Sequence, residues 1–246
     1  MLATLLPVRA AADVPKFRTP QACLIQYFKH PTSYLTSSPF LGRLFGVKVA
    51  VVKYNAGNIR SVLNALGRIG VEPVLTDDAA ELRAADRIIF PGQGAASATM
   101  AYLRESGLHA LIPTLTQPVL GICIGQQLMC SHSEEGDVDC LGIFPDTPVV
   151  RFPQVAGLKV PHIGWNTVED VRSPLFDGLK DGDFVYYVHS YYVPESPYAI
   201  AHTTYGGIRY SCAMRRGNFY ATQFHPEKSG AVGERILSNF INLCHD

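Results

Sequence analysis

The stretch Pro118-Val-Leu-Gly-Ile-Cys123-Ile-Gly-Gln-Gln-Leu-Met-Cys-Ser-His-Ser133 decides how the rest of this chain is read. Residues 118–123 are a short apolar run, as expected of a strand buried on both faces of a sheet. Residues 125–133 then read as helix. Cys123 stands at the junction, with Gly121 and Gly125 two residues away on either side. This is the form G-x-nucleophile-x-G, a nucleophile elbow. A strand turning directly into a helix forces its apex residue into a strained conformation with the side chain exposed. Small neighbours let the chain turn that tightly. The helix N-terminus then lies beneath the sulfur, where its partial positive charge favours thiolate. The alternative for a lone cysteine is a buried core position, so residues elsewhere have to decide between the two.

Working outward, the elbow sits inside an alternation of strands and helices. Residues 47–53 (VKVAVVK) are a valine-rich strand, and residues 55–57 turn the chain. Ile59, Val62, Leu63, Leu66 and Ile69 then recur at helical spacing, with Gly70 placed as a C-cap. Residues 71–76 and 86–92 read as strands, the latter running into a glycine-rich turn, and residues 98–111 read as helix. This βαβαβ rhythm predicts a parallel sheet covered by helices on both faces. Beyond the elbow, residues 165–169, 184–193, 198–204 and 218–224 are strand-like and separated by Gly, Pro and Asp turns. They are expected to pair partly antiparallel on one edge of the main sheet, with a closing helix over 232–243. The expected fold class is α/β: one domain over residues 47–246, with a mostly parallel, doubly wound sheet and an antiparallel edge.

The chain has 246 residues, 47% of them hydrophobic, which is ample for one sizeable core. Lys+Arg and Asp+Glu both number 21, so the net charge is zero. That balance gives no electrostatic case for nucleic acid or an anionic membrane as partner. The six cysteines form no C-x-x-C pair and no secreted-type framework. With no apolar run of about 18 residues, a cytoplasmic protein is the expectation. No His, Cys, Asp and Glu cluster has metal-ligand spacing, so no metal or other cofactor is expected.

Residues 1–46 differ from the remainder. They carry Arg9, Lys16, Arg18, Lys29 and Arg43 against one acid, Asp13, and prolines at 7, 15, 20, 31 and 39 interrupt every helix or strand early. There is no apolar segment behind a basic start of the kind a secretory signal needs. A disordered extension, an upstream choice of start codon and an organelle transit peptide remain open, and the abrupt start of fold-like sequence at Val47 favours the second.

A thiolate that attacks an amide needs a base to activate it and to protonate the departing ammonia. Gln223-Phe-His225-Pro-Glu227-Lys supplies a histidine just past a strand-like segment, with a carboxylate two residues on. Glu227 can then reach the far ring nitrogen of His225, holding its tautomer and steadying imidazolium. Phe90-Pro-Gly92-Gln-Gly94 adds a glycine turn after the preceding strand, where backbone N–H groups can point at a developing oxyanion. Both loops would open at the carboxyl edge of the sheet, where open α/β folds bind ligands. His132, His202 and His245 read as surface or loop residues without a role.

Together these three segments resemble the class I, or triad, glutamine amidotransferases, over about 200 residues from Val47 onward. Four further motifs resemble the glutaminase subunit of imidazole glycerol phosphate synthase. They are Tyr54-Asn-Ala-Gly57-Asn58-Ile, Val160-Pro-His162-Ile-Gly164-Trp165-Asn166, Val188-His189-Ser190-Tyr191-Tyr192 and Gln223-Phe-His225-Pro-Glu227-Lys-Ser229. The resemblance implies glutamine hydrolysis through a γ-glutamyl thioester, with Cys123 as nucleophile, His225 as general base and acid, and Glu227 as orienting carboxylate. It implies that Gly92, Gly94, Gly125, Gln127, His189, Ser190 and Tyr191 help hold glutamine. Glu135 is either a contact for the substrate's amino group or a solvated helix-end charge. It further implies a heterodimer with a (β/α)₈-barrel cyclase that receives the ammonia. Asn58, Trp165 and Asn166 would lie at that interface, although a packing role for Trp165 stays open.

Two departures from the family pattern stand out. The elbow usually reads C-L-G-M-Q, and here Gln126 takes the methionine place; Gln93 stands where the glycine loop usually has valine. Both leave nucleophile, base and orienting carboxylate intact. The competing readings are an amidotransferase subunit serving anthranilate, guanylate or pyridoxal phosphate synthesis, and a catalytically silent paralogue kept as a binding module.

Overall fold

A computed structural model describes residues 46–54 and 59–244. Readings that fall on residues 1–45, on the turn at 55–58 (Asn58 included) and on His245 lie outside them. Five strands build the parallel part of the main sheet: β1 (Val49–Val52), β2 (Val74–Thr76), β3 (Arg87–Phe90), β4 (Val119–Ile122) and β13 (Phe219–Thr222). Their spatial order is β2-β1-β3-β4-β13, and every neighbouring pair is parallel. That is the flavodoxin-like order, in which the strand sequence reverses beside β1 and the ligand crevice opens at the carboxyl ends. Beyond β13 lie β12 (Ile208–Arg216) and β11 (Ala199–Tyr205), both antiparallel to their neighbours. The antiparallel edge is therefore present as expected.

Alternation along each strand divides the core in two. Val49, Val51, Ile89, Leu120, Ile122 and Tyr220 face one side, under α1 (Ile59–Arg68) and α6 (Gly230–Asn242). Ala50, Val52, Ile88, Phe90, Val119 and Ala221 face the other, against α2 (Ala79–Ala84), α3 (Ala96–Glu105), α4 (Leu108–Leu111) and α5 (Ile124–Met129). With helices on both faces, β1, β4 and β13 are buried at every residue, which is why they read as continuous apolar runs.

Several boundaries differ from the periodicity reading, each for a local reason. The helix expected over 98–111 is two helices, because Gly107 adopts φ 76° between them. The helix expected over 125–133 stops at Met129. Ser131 N–H donates to Thr147 O at 3.0 Å, and β5 (His132–Ser133) pairs with β6 (Val138–Asp139) and β7 (Pro148–Arg151), so sheet pairing captures a segment of weak helix formers. The run 184–193 breaks at Ser190, where the chain changes partners. β9 (Phe184–His189) pairs with β8 (His162–Thr167), and β10 (Tyr191–Tyr192) pairs with β7. β8 and β9 form their own ribbon rather than joining the main sheet, attached to β11 by paired backbone bonds between Glu169 and His202. His202 is a further correction: it is a buried strand residue at 5% exposure, not a surface or loop histidine.

Candidate active site

The elbow is built from close backbone approaches. Cys123 holds φ 53° and ψ −105°, outside the regions an L-residue ordinarily occupies, while its N–H still donates to Thr222 O at 2.7 Å and so extends the β4–β13 ladder. A Cβ on Gly121 would lie 2.9 Å from the Gly125 carbonyl and from Met129 Sδ, so only glycine lets α5 fold back on β4. A Cβ on Gly125 would run into Phe90 O, and one on Gly92 into the Ile124 side chain and within 2.8 Å of Gly125 N. These three glycines bring the Pro91–Gly94 loop directly onto the first turn of α5. The two segments that the motifs singled out are thereby in contact.

His225 reaches the same place from β13. Its N–H donates to Tyr186 O at 2.9 Å, and Ser229 Oγ both donates to His225 O at 2.7 Å and accepts from Tyr186 N at 3.0 Å. The backbone of His225 is thus clamped to β9. Its side chain is 1% exposed, and Nδ1 donates to Glu227 Oε1 at 2.7 Å, because a carboxylate can only accept. That fixes Nε2 as the nitrogen left for Cys123, and among the described residues it has no hydrogen-bond partner. Burial works against a charged ring here. The charge and hydrogen bonding of Cys123 and Glu227 outweigh it and raise the His225 pKa well above that of an ordinary histidine. The arrangement suits a thiolate–imidazolium pair with the carboxylate behind it.

A cleft of about 440 Å³ opens over Cys123 and His225. Gly94, Gln127, Glu135, His189, Ser190 and Tyr191 all line it, whereas Gly92 and Gly125 lie beneath it as spacing positions. Glu135 Oε2 accepts from Ala96 N at 2.8 Å, capping α3, whose own N-cap residue supplies no side-chain bond. Gln93 also lines the cleft. Pro161, Tyr186, Val188 and Lys228 complete the wall. Of these, Tyr186 stood in none of the quoted motifs, since β9 reaches the cleft only through tertiary folding.

The comparisons with known proteins bear on this geometry. Residues 42–243 match the family described as glutamine amidotransferase class-I. The imidazole glycerol phosphate synthase subunit HisH of Bacteroides fragilis is 60% identical over 199 residues, covering 80% of this chain and 100% of that protein. The chain is a class-I glutamine amidotransferase. The subunit HisH of Idiomarina loihiensis is 43% identical over 80% of this chain and 98% of its own length. Among solved structures, a glutamine amidotransferase aligns with TM-score 0.60 at 19% identity, over 79% of this chain and 98% of that one. Another from Thermotoga maritima aligns with TM-score 0.53 at 18% identity, over 79% and 82%. These structural matches speak for the fold.

In this amidotransferase the cleft wall is held by a buried relay. His189 Nδ1 donates to Tyr191 O at 2.8 Å, which leaves Nε2 to accept from Tyr210 Oη at 3.2 Å. Tyr210 Oη lies 3.3 Å from His162 Nδ1, which therefore carries the proton. Burial lowers the pKa of His189 to about 3 and that of His162 to about 4, so both rings stay neutral. On the outward face of the β8–β9 ribbon, Ile163, Trp165 and Phe184 are 59%, 55% and 57% exposed, and Trp165 stands edge-on to Tyr186 at 5.8 Å. Asn166 spends its side chain within the chain, donating to Thr204 O at 3.0 Å and accepting from Thr167 N at 2.8 Å. No helix among the described residues is long and apolar enough to cross a membrane.

Proposed function

We infer that this chain is the glutaminase subunit of an imidazole glycerol phosphate synthase. The observation that carries the reading is a histidine with its carboxylate partner at 2.7 Å sharing a cleft with a strained elbow cysteine, in a chain 60% identical to a HisH subunit along that protein's full length. His225 Nε2 accepts the Cys123 proton, and the sulfur attacks the carboxamide carbon of glutamine. The oxyanion forms against backbone N–H groups of the Gly92–Gly94 loop. His225 then protonates the leaving ammonia, giving a γ-glutamyl thioester. Water deprotonated by the same nitrogen releases glutamate. Glutamine lies along Gly94, Gln127 and the His189–Tyr191 segment, with the free face of Glu135 toward its amino group.

Ammonia freed into water would be lost to protonation and diffusion, so the reading includes a heterodimer with a (β/α)₈-barrel cyclase in the cytoplasm. The exposed apolar face of Ile163, Trp165 and Phe184 supports a docking role, since Tyr186 beside it also borders the cleft. Trp165 is the anchor of that face, and Asn166 fixes the strand edge under it. Complementation tests the pathway. Expression should restore growth of a histidine auxotroph lacking this subunit, whereas no growth despite good expression would move the assignment to another amidotransferase pathway.

A further inference from the structure

Gln223 lies one residue past β13 and two before His225, with no exposed surface, and the mechanism above gives it no part. Its carboxamide bridges the nucleophile and the cleft wall. Gln127 Nε2 lies 2.9 Å from Tyr191 O and 3.0 Å from Gln223 Oε1, and Gln223 Nε2 lies 3.7 Å from Cys123 Sγ. The two ends of a carboxamide have the same shape, so hydrogen-bond chemistry must assign them. The Tyr191 carbonyl can only accept, so the Gln127 atom facing it is the NH₂ group. The second proton of that group points at Gln223, whose facing atom is therefore its oxygen. The Gln223 NH₂ is left turned toward the sulfur. The backbone of Gln223 is fixed as well, its N–H donating to Cys212 O at 2.8 Å.

We propose that Gln223 is a catalytic residue of this site, whose amide N–H donates to the Cys123 sulfur and holds it as an aimed thiolate. Gln127 and the Tyr191 carbonyl are the positioning chain behind it. The proposal rests on Cys123 being the nucleophile. A charged sulfur accepts a hydrogen bond far better than a thiol or a thioester does, and burial strengthens the difference. The bond is therefore strongest before attack and weakens as the thioester forms. Because Tyr191 also lines the cleft, a ligand that moves its carbonyl would change the sulfur's environment through three successive hydrogen bonds.

The test is the pH dependence of Cys123 alkylation by iodoacetamide, read by mass on the Cys123 peptide of the full chain, with glutamine turnover followed in the same preparations. Gln223→Met keeps the volume and removes the donor. Gln223→Glu keeps an acceptor for Gln127 and turns a carboxylate oxygen on the sulfur. The midpoint of alkylation should rise by about one pH unit in the Met variant, a roughly tenfold slower reaction at pH values below the wild-type midpoint, and further in the Glu variant. The rate at high pH should stay as in wild type. Midpoints equal to wild type in folded variants would overturn the proposal, and so would an equal loss of rate at every pH. If the Glu variant does not fold, the uncharged Met variant decides alone. Wild-type chain that turns over no glutamine even with a cyclase subunit and its ribulosyl substrate present would instead strike the nucleophile reading, which the alkylation profile does not depend on.

Discussion

Replacing Cys123 by glycine should leave the fold at least as stable as replacing it by alanine, the reverse of the usual order. At φ 53° and ψ −105° a Cβ-bearing residue is strained by about 1–3 kcal/mol. Alanine keeps the Cβ and the strain, and glycine releases it. Against that release stand the greater freedom of glycine in the unfolded chain, about 0.5–1 kcal/mol, and one lost buried carbon, about 0.8 kcal/mol. The middle of these ranges leaves glycine ahead by about 0.5 kcal/mol. Ala221, buried in β13 with ordinary strand geometry, supplies the control. There is no strain to release there, so Ala221→Gly should cost about 1.5 kcal/mol. Urea unfolding of the Ala and Gly variants at 123, beside wild type and Ala221→Gly, gives the comparison directly at equal slope. Both position-123 variants lack the proposed nucleophile, so activity cannot confuse the result. A loss of about 1.5 kcal/mol on going from alanine to glycine at position 123 would show that the elbow stores no strain, and would refute the reasoning.

Other consequences follow from the same geometry. Gly92→Ala should drive the loop off α5, costing about 1–3 kcal/mol in denaturant unfolding and most of the glutamine turnover. Glu227→Gln removes the carboxylate that helps hold His225 protonated, so turnover should fall by about a hundredfold, and the imidazolium should be lost at lower pH in a titration of the ring. His189 has a depressed folded-state pKa, so the unfolded chain takes up a proton the folded one refuses, and stability is lost as pH falls below about 6.5. Near pH 5 the loss from His189 should be about 2 kcal/mol, and His189→Asn, which keeps a donor for Tyr191 O, should flatten that slope. Trp165→Ala should leave the melting temperature of the isolated chain nearly unchanged, because the residue is 55% exposed, yet weaken binding to a cyclase subunit by about thirtyfold in calorimetry, a loss of about 2 kcal/mol.

The parts of the site that depend on local chain geometry were legible in the sequence. Gly121, Cys123 and Gly125 announce a strand–helix elbow because no other small arrangement satisfies that turn, and the structure shows each glycine facing backbone or a packed side chain. The parallel order followed from apolar runs separated by a helix. Two missed elements also carried signals: Asp78 and Glu81 stand at capping-box spacing at the start of α2, where the Asp78 side chain accepts from Ala80 and Glu81 N–H. Gly206-Gly207 forms a two-residue hairpin turn at φ 58° and 79°, which would have placed β12. What periodicity could not show were contacts made across the fold. His202 is buried because Glu169 pairs with it from another ribbon, and Gln223 meets Cys123 across 100 residues.

The central claim is most directly tested by glutamate release from glutamine, measured for the purified chain alone and with a cyclase subunit carrying its ribulosyl substrate. Strong activation in the complex, abolished by Cys123→Ala, is the predicted result. Turnover that survives Cys123→Ala, or none in any condition, would contradict it.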